Sequence, residues 1–193
     1  MRSATVNAKP NAALVANVAA ALGAGVWRQR ATEGMSNLMG QEPSEIQDTI
    51  RRVLERNRLA VLATQRNGQP HASLIAFTPL EGLRFLAFAT YRNTLKHQSI
   101  RENPRVAVLI EDREGDDRRA NRHLVLTAVG EAVSVPDSER QAYIAAHLTR
   151  HPDLEGFLTS PDCEFVLVAV RAYQVVSDID DARWYPIEQL LAP

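Results

Sequence analysis

The sequence predicts a mainly β domain, an antiparallel barrel of six strands with flanking α-helices. Two observations lead to this class. Short apolar segments alternate with tight turns, and Asn67-Gly68 is the strongest hairpin signal among them because both central positions of that turn favour positive φ. Few helical segments separate the strands, whereas a parallel sheet needs a crossover between each pair.

The first element is a helix that begins near Ser44. Ser44-Glu-Ile-Gln47 follows Pro43 and has the pattern of a capping box. Ile46, Ile50, Val53 and Leu54 then recur at helical spacing. We expect this helix to end at residue 56 or 57.

Four strands are predicted in the first half of the domain, over 59–64, 70–78, 83–89 and 105–111. Asn67-Gly68 joins the first two strands, and a turn at 79–82 joins the second to the third. A short helix over 94–102 precedes the fourth strand, which an Asn-Pro turn introduces.

The second half of the domain begins with a charge-dense loop over 112–120, which we interpret as solvated. Residues 123–134 then form one long strand with a bulge or bend at Gly130. A helix opens at 136–139 and ends before His151-Pro152. Apolar segments at 163–172 and 173–177 complete the sheet, and a short helix follows Pro186.

Composition excludes several classes of protein. With 45% hydrophobic and 23% charged residues the chain is typical of soluble globular proteins, and a net charge of −1 argues against a dedicated nucleic-acid surface. The single cysteine, Cys163, excludes an internal disulfide and any cysteine-cluster metal site. We therefore expect a cytoplasmic protein without membrane or nucleic-acid partners.

The sequence divides into an N-terminal extension with a linker, residues 1–43, and a folded domain, residues 44–193. Residues 12–26 are rich in alanine and only weakly apolar, and Asn17 interrupts them. An amphipathic helix or an extension packed on a partner is favoured here over a secretory signal. Residues 34–43 have the Gly, Ser, Asn and Pro content of a linker.

The polar loop before the short helix carries the clearest functional signal. Thr90, Arg92, Asn93, Thr94 and Lys96 collect hydroxyls and cations at a helix N-terminus, with almost no acid among them. Free backbone N–H groups and the helix dipole attract anions at such a position. The pattern predicts a phosphate site, and the alternative is an ordinary helix start capped by Asn93 or Thr94.

The order of these elements, together with the Thr-x-Lys helix start and the Asn-Pro-Arg-Val strand, resembles the pyridoxamine 5′-phosphate oxidase-like, FMN-binding split barrels over roughly residues 44–186. The resemblance implies a six-stranded split β-barrel, a homodimer with FMN at its interface, and an FMN-dependent oxidoreductase whose small-molecule substrate is unknown. The C-terminal residues 180–186 look more like the haem-utilisation and general-stress branches of the superfamily. A non-catalytic protein, or one binding haem or deazaflavin on the same barrel, is the alternative.

The resemblance also implies which residues hold the cofactor. Ser73 falls on the second strand where the oxidases place an arginine, and Thr90 fits the hydroxyl position at the end of the third strand. Thr94 and Lys96 fit the hydroxyl and lysine that contact the flavin phosphate, and Arg92 adds a cation just upstream.

The chain departs from the oxidase pattern at several positions. Thr78 stands in place of a lysine, Leu95 and Ser73 stand in place of arginines, and the Arg-x-His substrate signature near the C-terminus is missing. We therefore expect a substrate other than pyridoxamine phosphate.

The remaining candidates for chemistry are weaker. The five histidines match no zinc motif and are expected to be structural or on the surface, although His97 and His123 could approach the flavin. Cys163 lies between two acids that disfavour its thiolate and is expected to be structural. Trp184 and Tyr185 are expected to cover the end of the barrel. The sequence predicts no metal site and identifies no catalytic acid or base.

Overall fold

The chain forms a closed six-stranded antiparallel barrel, with helices packed around it and a seventh strand outside. The computed structural model describes residues 43–112, 124–135, 137–178 and 181–191. Its strands are β1 Leu59–Arg66, β2 Gln69–Leu80, β3 Phe85–Tyr91, β4 Arg105–Asp112, β5 Leu124–Ser134, β6 Cys163–Asp178 and β7 Asp181–Pro186. Its helices are α1 Pro43–Arg56, α2 Leu95–Glu102, α3 Asp137–Arg150, α4 Glu155–Leu158 and α5 Ile187–Leu190, with a 3₁₀ turn Pro152–Leu154 before α4.

The sheet closes on itself because β3 pairs with β6. The strand order is β3-β2-β1-β4-β5-β6-β7 and each of these pairs is antiparallel. The predicted antiparallel six-stranded split barrel is therefore confirmed. β7 is an addition to that prediction: it pairs with the second half of β6, beyond the half that pairs with β3. Its burial pattern shows a single buried residue, Tyr185, so β7 depends on this pairing more than on a hydrophobic pattern of its own.

The two predicted turns behave differently. Asn67 and Gly68 have φ of 50° and 78°, as the hairpin signal requires. The second turn lies two residues later than predicted, because β2 continues through Pro79 to Leu80. Pro79 pairs with β3, whereas the pairing of β1 with β2 has already ended at Ala76. Proline has no backbone N–H, and at this position its absence removes no hydrogen bond from the β1–β2 ladder.

The predicted irregularity at Gly130 is confirmed. The pairing of β5 with β6 shifts register between Val129 and Gly130. A Cβ atom on Gly130 would lie 2.1 Å from the carbonyl oxygen of Ala169, so only glycine lets the two backbones approach this closely.

Two hydrophobic cores organise the molecule. The larger core fills the barrel and extends to α1 and α5, with members such as Ile50, Leu62, Phe77 and Val168. The smaller core lies on the outside of β3 and β6, where Tyr143, Ile144, Leu158 and Phe165 belong to it. This second core holds α3 and α4 against the outer surface of the barrel.

The predicted helices agree with the structure. α1 ends at Arg56, α3 ends just before His151, and α2 begins after Thr94. α2 packs on β1, where Ile100 joins the larger core and Arg66 pairs with Glu102 at 3.0 Å. The start of α2 is thereby held next to the end of β3.

Several predictions lie outside the described residues. These are the extension before residue 43, most of the charged loop at 112–120, and His123. The domain boundary at residues 43 and 44 and the cytoplasmic location stay predictions. Among the described residues, no helix is long and apolar enough to cross a bilayer.

Candidate functional site

A groove opens where β2 and β3 separate. Their ladder joins 77–80 to 85–88 and goes no further. The next residues of each strand, 74–76 of β2 and 89–91 of β3, line a cavity of about 280 Å³. The groove is therefore a consequence of the split in the barrel.

The strand edges that face this groove leave backbone groups available. β2 pairs with β1 along its other edge from residue 69 to residue 76, and β3 pairs with β6 over 89–91. Within the described chain neither strand has a strand partner on the groove side at these positions. Backbone N–H and C=O groups on such an edge can hydrogen-bond a ligand.

One end of the groove carries Thr90, Thr94 and Lys96. The two threonine hydroxyl oxygens lie 2.8 Å apart, and the Thr94 hydroxyl donates to the Tyr91 carbonyl at 2.8 Å. Thr94 is also the N-cap of α2, since its side chain accepts from the His97 N–H at 3.4 Å. The hydroxyls thus hold the loop and the helix start in one geometry.

Lys96 is the cation of this end. It is half-buried in the groove wall and has no hydrogen bond or ion pair with any described residue. The N–H groups of Leu95 and Lys96 belong to the first turn of α2 and have no intrahelical partner. A free ammonium group beside free N–H groups is a site for an anion.

Arg92 and Ser73 lie outside the set of residues that line the groove. Arg92 forms an ion pair with Glu164 at 2.9 Å and donates to the Pro161 carbonyl at 2.9 Å. Ser73 contacts the His71 ring, with Oγ 3.2 Å from Nδ1. The structure therefore brings together three of the five predicted cofactor residues, Thr90, Thr94 and Lys96.

The other end of the groove contains a histidine whose position the sequence did not indicate. His147 of α3 lines the groove and is 0% exposed. Its Nδ1 is 2.8 Å from the hydroxyl of Thr78, across a separation of 69 residues. Its Nε2 has no hydrogen-bond partner among the described residues. The sequence contains one indication of this position, the i, i+4 spacing of His147 and His151, which places both side chains on one helix face.

Burial keeps this histidine neutral. The pKa of His147 is lowered to about 3, mainly by loss of hydration and then by the neighbouring His151 and Arg150. The rings of His147 and His151 lie 4.6 Å apart. His151 Nε2 is 2.8 Å from the Phe77 carbonyl, which can only accept, so that nitrogen is the donor.

Aromatic and aliphatic side chains form the rest of the lining. The rings of Tyr91 and Phe157 meet edge to face at 4.6 Å, and Leu74, Ala76 and Leu154 add apolar surface. A planar apolar body can be accommodated between such walls.

The remaining candidates do not line the groove. Cys163 is buried, and burial raises the pKa of its thiol. His97 is buried on α2 and does not line the groove. Tyr185 belongs to the larger core, while Trp184 is partly exposed. No cluster of metal-ligating side chains occurs in the described parts of the chain.

An apolar strip continues from the groove across the outside of the sheet. Leu74 is 66% exposed, and it pairs in register with Val61 (37%), which pairs in turn with Leu109 (41%). Three neighbouring strands thus present large apolar side chains side by side. A contiguous surface of this kind is typical of an interaction site.

Comparison with known proteins agrees with this architecture. A family model described as pyridoxamine 5′-phosphate oxidase matches residues 46–175. Curated proteins yield no match. Among solved structures, a haem-binding protein from Mycobacterium smegmatis superposes with a TM-score of 0.66 at 19% identity, over 79% of this chain and 61% of that one. General stress protein 26 from Bacillus anthracis superposes at 0.56 with 21% identity, over 74% and 98%.

A third structure, a FAD-binding protein from Mesorhizobium loti, has a TM-score of 0.54 at 19% identity, over 65% of this chain and 87% of that one. At these identities the solved structures show the fold alone. This chain spans about three fifths of the length of the mycobacterial protein. The family model covers more than half of the chain, and its match coincides with the barrel that carries the groove. The chain therefore belongs to the pyridoxamine 5′-phosphate oxidase family.

Proposed function

We propose that this protein is an FMN-binding flavoprotein with oxidoreductase activity, and that the groove between β2 and β3 is the flavin site. The observation that carries the proposal is Lys96, an unpaired and half-buried cation at the N-terminus of α2, at one end of a groove with apolar walls. FMN has the matching chemistry, a phosphate dianion joined to a planar heterocycle. The flavin of the Mesorhizobium loti protein, on a similar barrel, also supports it.

The cationic end of the groove, formed by Thr90, Thr94 and Lys96, suits a phosphate. Lys96 supplies a charge-assisted hydrogen bond, and the N–H groups of Leu95 and Lys96 supply donors aligned with the helix dipole. Thr90 and Thr94 already satisfy each other and the loop backbone, so they shape the site more than they bind. Arg92 forms an ion pair with Glu164, so we assign it a smaller contribution to phosphate binding.

The cofactor is expected to lie between two copies of the chain. A cavity of about 280 Å³ is small for a whole flavin nucleotide, so a single chain supplies only part of a site. The apolar strip of Leu74, Val61 and Leu109 begins at the groove and is open to a partner. A two-fold homodimer would cover both features with the same surface of each subunit.

A bound flavin would supply two-electron chemistry, with substrate oxidation balanced by flavin reduction. The described residues orient it: the start of α2 holds the phosphate, the open strand edges offer hydrogen bonds to polar ring atoms, and the apolar walls exclude water. No acid or base is needed for hydride transfer, which depends on proximity and orientation. The substrate is a small molecule other than pyridoxamine phosphate, because the chain lacks the oxidase signature.

The test is binding of FMN and riboflavin to the wild type and to Lys96→Ala. Loss of a charge-assisted bond is expected to weaken FMN binding about 10- to 100-fold. Riboflavin has no phosphate, so its weaker binding should be almost insensitive to the same change. Fluorescence quenching measures both affinities, and light scattering of the FMN-loaded protein should give the mass of a dimer.

Arg101→Ala is the matched control, because Arg101 is an exposed cation at the opposite end of the same helix. It should bind both flavins as the wild type does. Equal losses for FMN and riboflavin in Lys96→Ala would contradict a phosphate contact. A Soret band without flavin absorbance in the purified protein would favour haem, as in the haem-binding protein from Mycobacterium smegmatis, and would overturn the assignment.

A further inference from the structure

His147 occupies an unusual position in the wall of the groove. It is completely buried, its Nδ1 is held by the Thr78 hydroxyl at 2.8 Å, and its Nε2 has no hydrogen-bond partner among the described residues. Buried polar groups in folded proteins are nearly always paired. A leucine at this position would fill space without leaving a nitrogen unsatisfied.

The imidazole is both fixed and neutral. The Phe165 ring meets it edge to face at 5.4 Å, and the His151 ring lies 4.6 Å away. The Arg150 guanidinium, one helical turn along, donates to the carbonyls of Leu54 and Asn57 and is not a partner of His147. A neutral imidazole offers one N–H and one lone pair, so Nε2 either donates or accepts.

His151 does not share this property. Its Nε2 donates to the Phe77 carbonyl at 2.8 Å, which anchors the end of α3 to β2. His151 is not part of the groove lining, whereas His147 is. His151 therefore anchors the end of α3 to β2, whereas the Nε2 of His147 has no partner among the described residues.

The distance between His147 and the cationic end can be read from the residue positions along β2 and β3. Thr78 pairs with Ala87, which precedes Thr90 by three residues of β3. At about 3.3 Å per residue, the histidine end lies roughly 10 Å along the strand from the threonine end. A ligand that reaches both ends has an anionic group and, about that far away, a hydrogen-bonding atom.

We propose that His147 is a ligand-binding residue whose Nε2 hydrogen-bonds a ring nitrogen or ring carbonyl of the heterocycle in the groove, with Thr78 as the positioning residue that fixes the imidazole. This inference rests on the proposed flavin site and adds a contact to the ring, distinct from the contact of Lys96 with the phosphate. His147 thereby recognises the heterocycle whether or not it carries a phosphate.

The test compares FMN and riboflavin binding in His147→Leu and His147→Gln. Loss of a ring contact should weaken both flavins alike, by about 5- to 10-fold in His147→Leu, and the Gln amide should restore part of the loss. This pattern differs from Lys96→Ala, which should affect FMN alone. Thr78→Val keeps the imidazole of His147 but removes the hydroxyl that fixes it. This variant should lose affinity for both flavins alike, by less than His147→Leu does.

A second measurement uses only the wild-type protein, so it does not depend on the folding of any variant. In ¹⁵N spectra of the wild type, the His147 Nε2 signal should shift when FMN or riboflavin is added, while the His151 signal should move little. Unchanged affinities in both His147 variants, with no shift of the His147 signal, would overturn this inference alone. If the wild type binds neither flavin, the proposed function and this inference both fail.

Discussion

The two polar ends of the groove are built in opposite ways. The cationic end, Thr90, Thr94 and Lys96, comes from seven consecutive residues, and its Thr94 and Lys96 are partly exposed. The histidine end joins Thr78 to His147 across 69 residues and is buried. The first depends on a helix N-terminus, which is a local structure, and the second on α3 being packed against the outside of the barrel. A local motif is readable in a sequence, whereas a contact made by packing is not.

The difference in burial also separates the chemistry of the two ends. A partly hydrated cation at the start of α2 can attract an anion from solution. Burial instead disfavours the charged form of His147, so the histidine end can only exchange hydrogen bonds. One groove therefore combines an ionic contact with a neutral contact. Three tests, one of pH and two of substitutions, would sharpen or break this division.

The largest effect is expected from pH. The pKa of His147 falls from 6.5 to about 3 on folding, so between these values the unfolded chain binds a proton that the folded chain does not. Stability is therefore full above pH 6.5 and decreases as pH falls. At about 1.4 kcal/mol per pH unit, one histidine should lower the free energy of unfolding by about 2–3 kcal/mol between pH 6.5 and 4.5.

Urea unfolding at several pH values measures this slope. His147→Gln should flatten it, although not fully, because burial also lowers the pKa of His151. The other charged groups that act on this pair, Arg58 and Arg150, are guanidinium groups and stay charged over this range. Equal slopes in the variant and the wild type would show that His147 is not neutral and buried.

A smaller effect is expected from the two threonines. Thr78→Val keeps the shape but leaves the buried Nδ1 of His147 unpaired, which should cost about 1–3 kcal/mol of stability. Thr94→Ala removes an N-cap with partial access to water and should cost about 1 kcal/mol. Thermal unfolding at pH 7 measures the loss of stability in both variants.

The serine variants are the controls for this pair. Thr78→Ser and Thr94→Ser keep each hydroxyl and should recover most of the stability. A larger loss for Thr94→Ala than for Thr78→Val would mean that the cationic end contributes more to stability than the histidine end does.

The smallest effect is expected from Arg92→Ala. The pair with Glu164 is on the surface, with Arg92 56% exposed, so its loss should change stability by about 0.2–1 kcal/mol. FMN affinity should fall less than in Lys96→Ala, because Arg92 is directed to Glu164 and Pro161. A loss of FMN affinity equal to that of Lys96→Ala would restore the sequence prediction that Arg92 anchors the phosphate.

Much of the barrel follows from the sequence alone. Asn67-Gly68 determines its hairpin because the turn needs two positive φ angles, and Gly130 marks the close approach of β5 to β6. The short helix was predicted over 94–102, with Asn93 or Thr94 as a possible cap, from residues next to one another; the structure has it over Leu95–Glu102 with Thr94 as the cap. Local patterns of this kind determined the fold class and three residues of the site.

Tertiary structure decided the rest. The direction of Arg92 depends on Glu164, and the pairing of β7 depends on the length of β6. The groove exists because the pairing of β2 with β3 stops at Phe77 and Phe88, and its histidine wall exists because the second core holds α3 in place. These features join residues far apart in the chain, and their free energy comes from burial and packing that no local pattern of the sequence records.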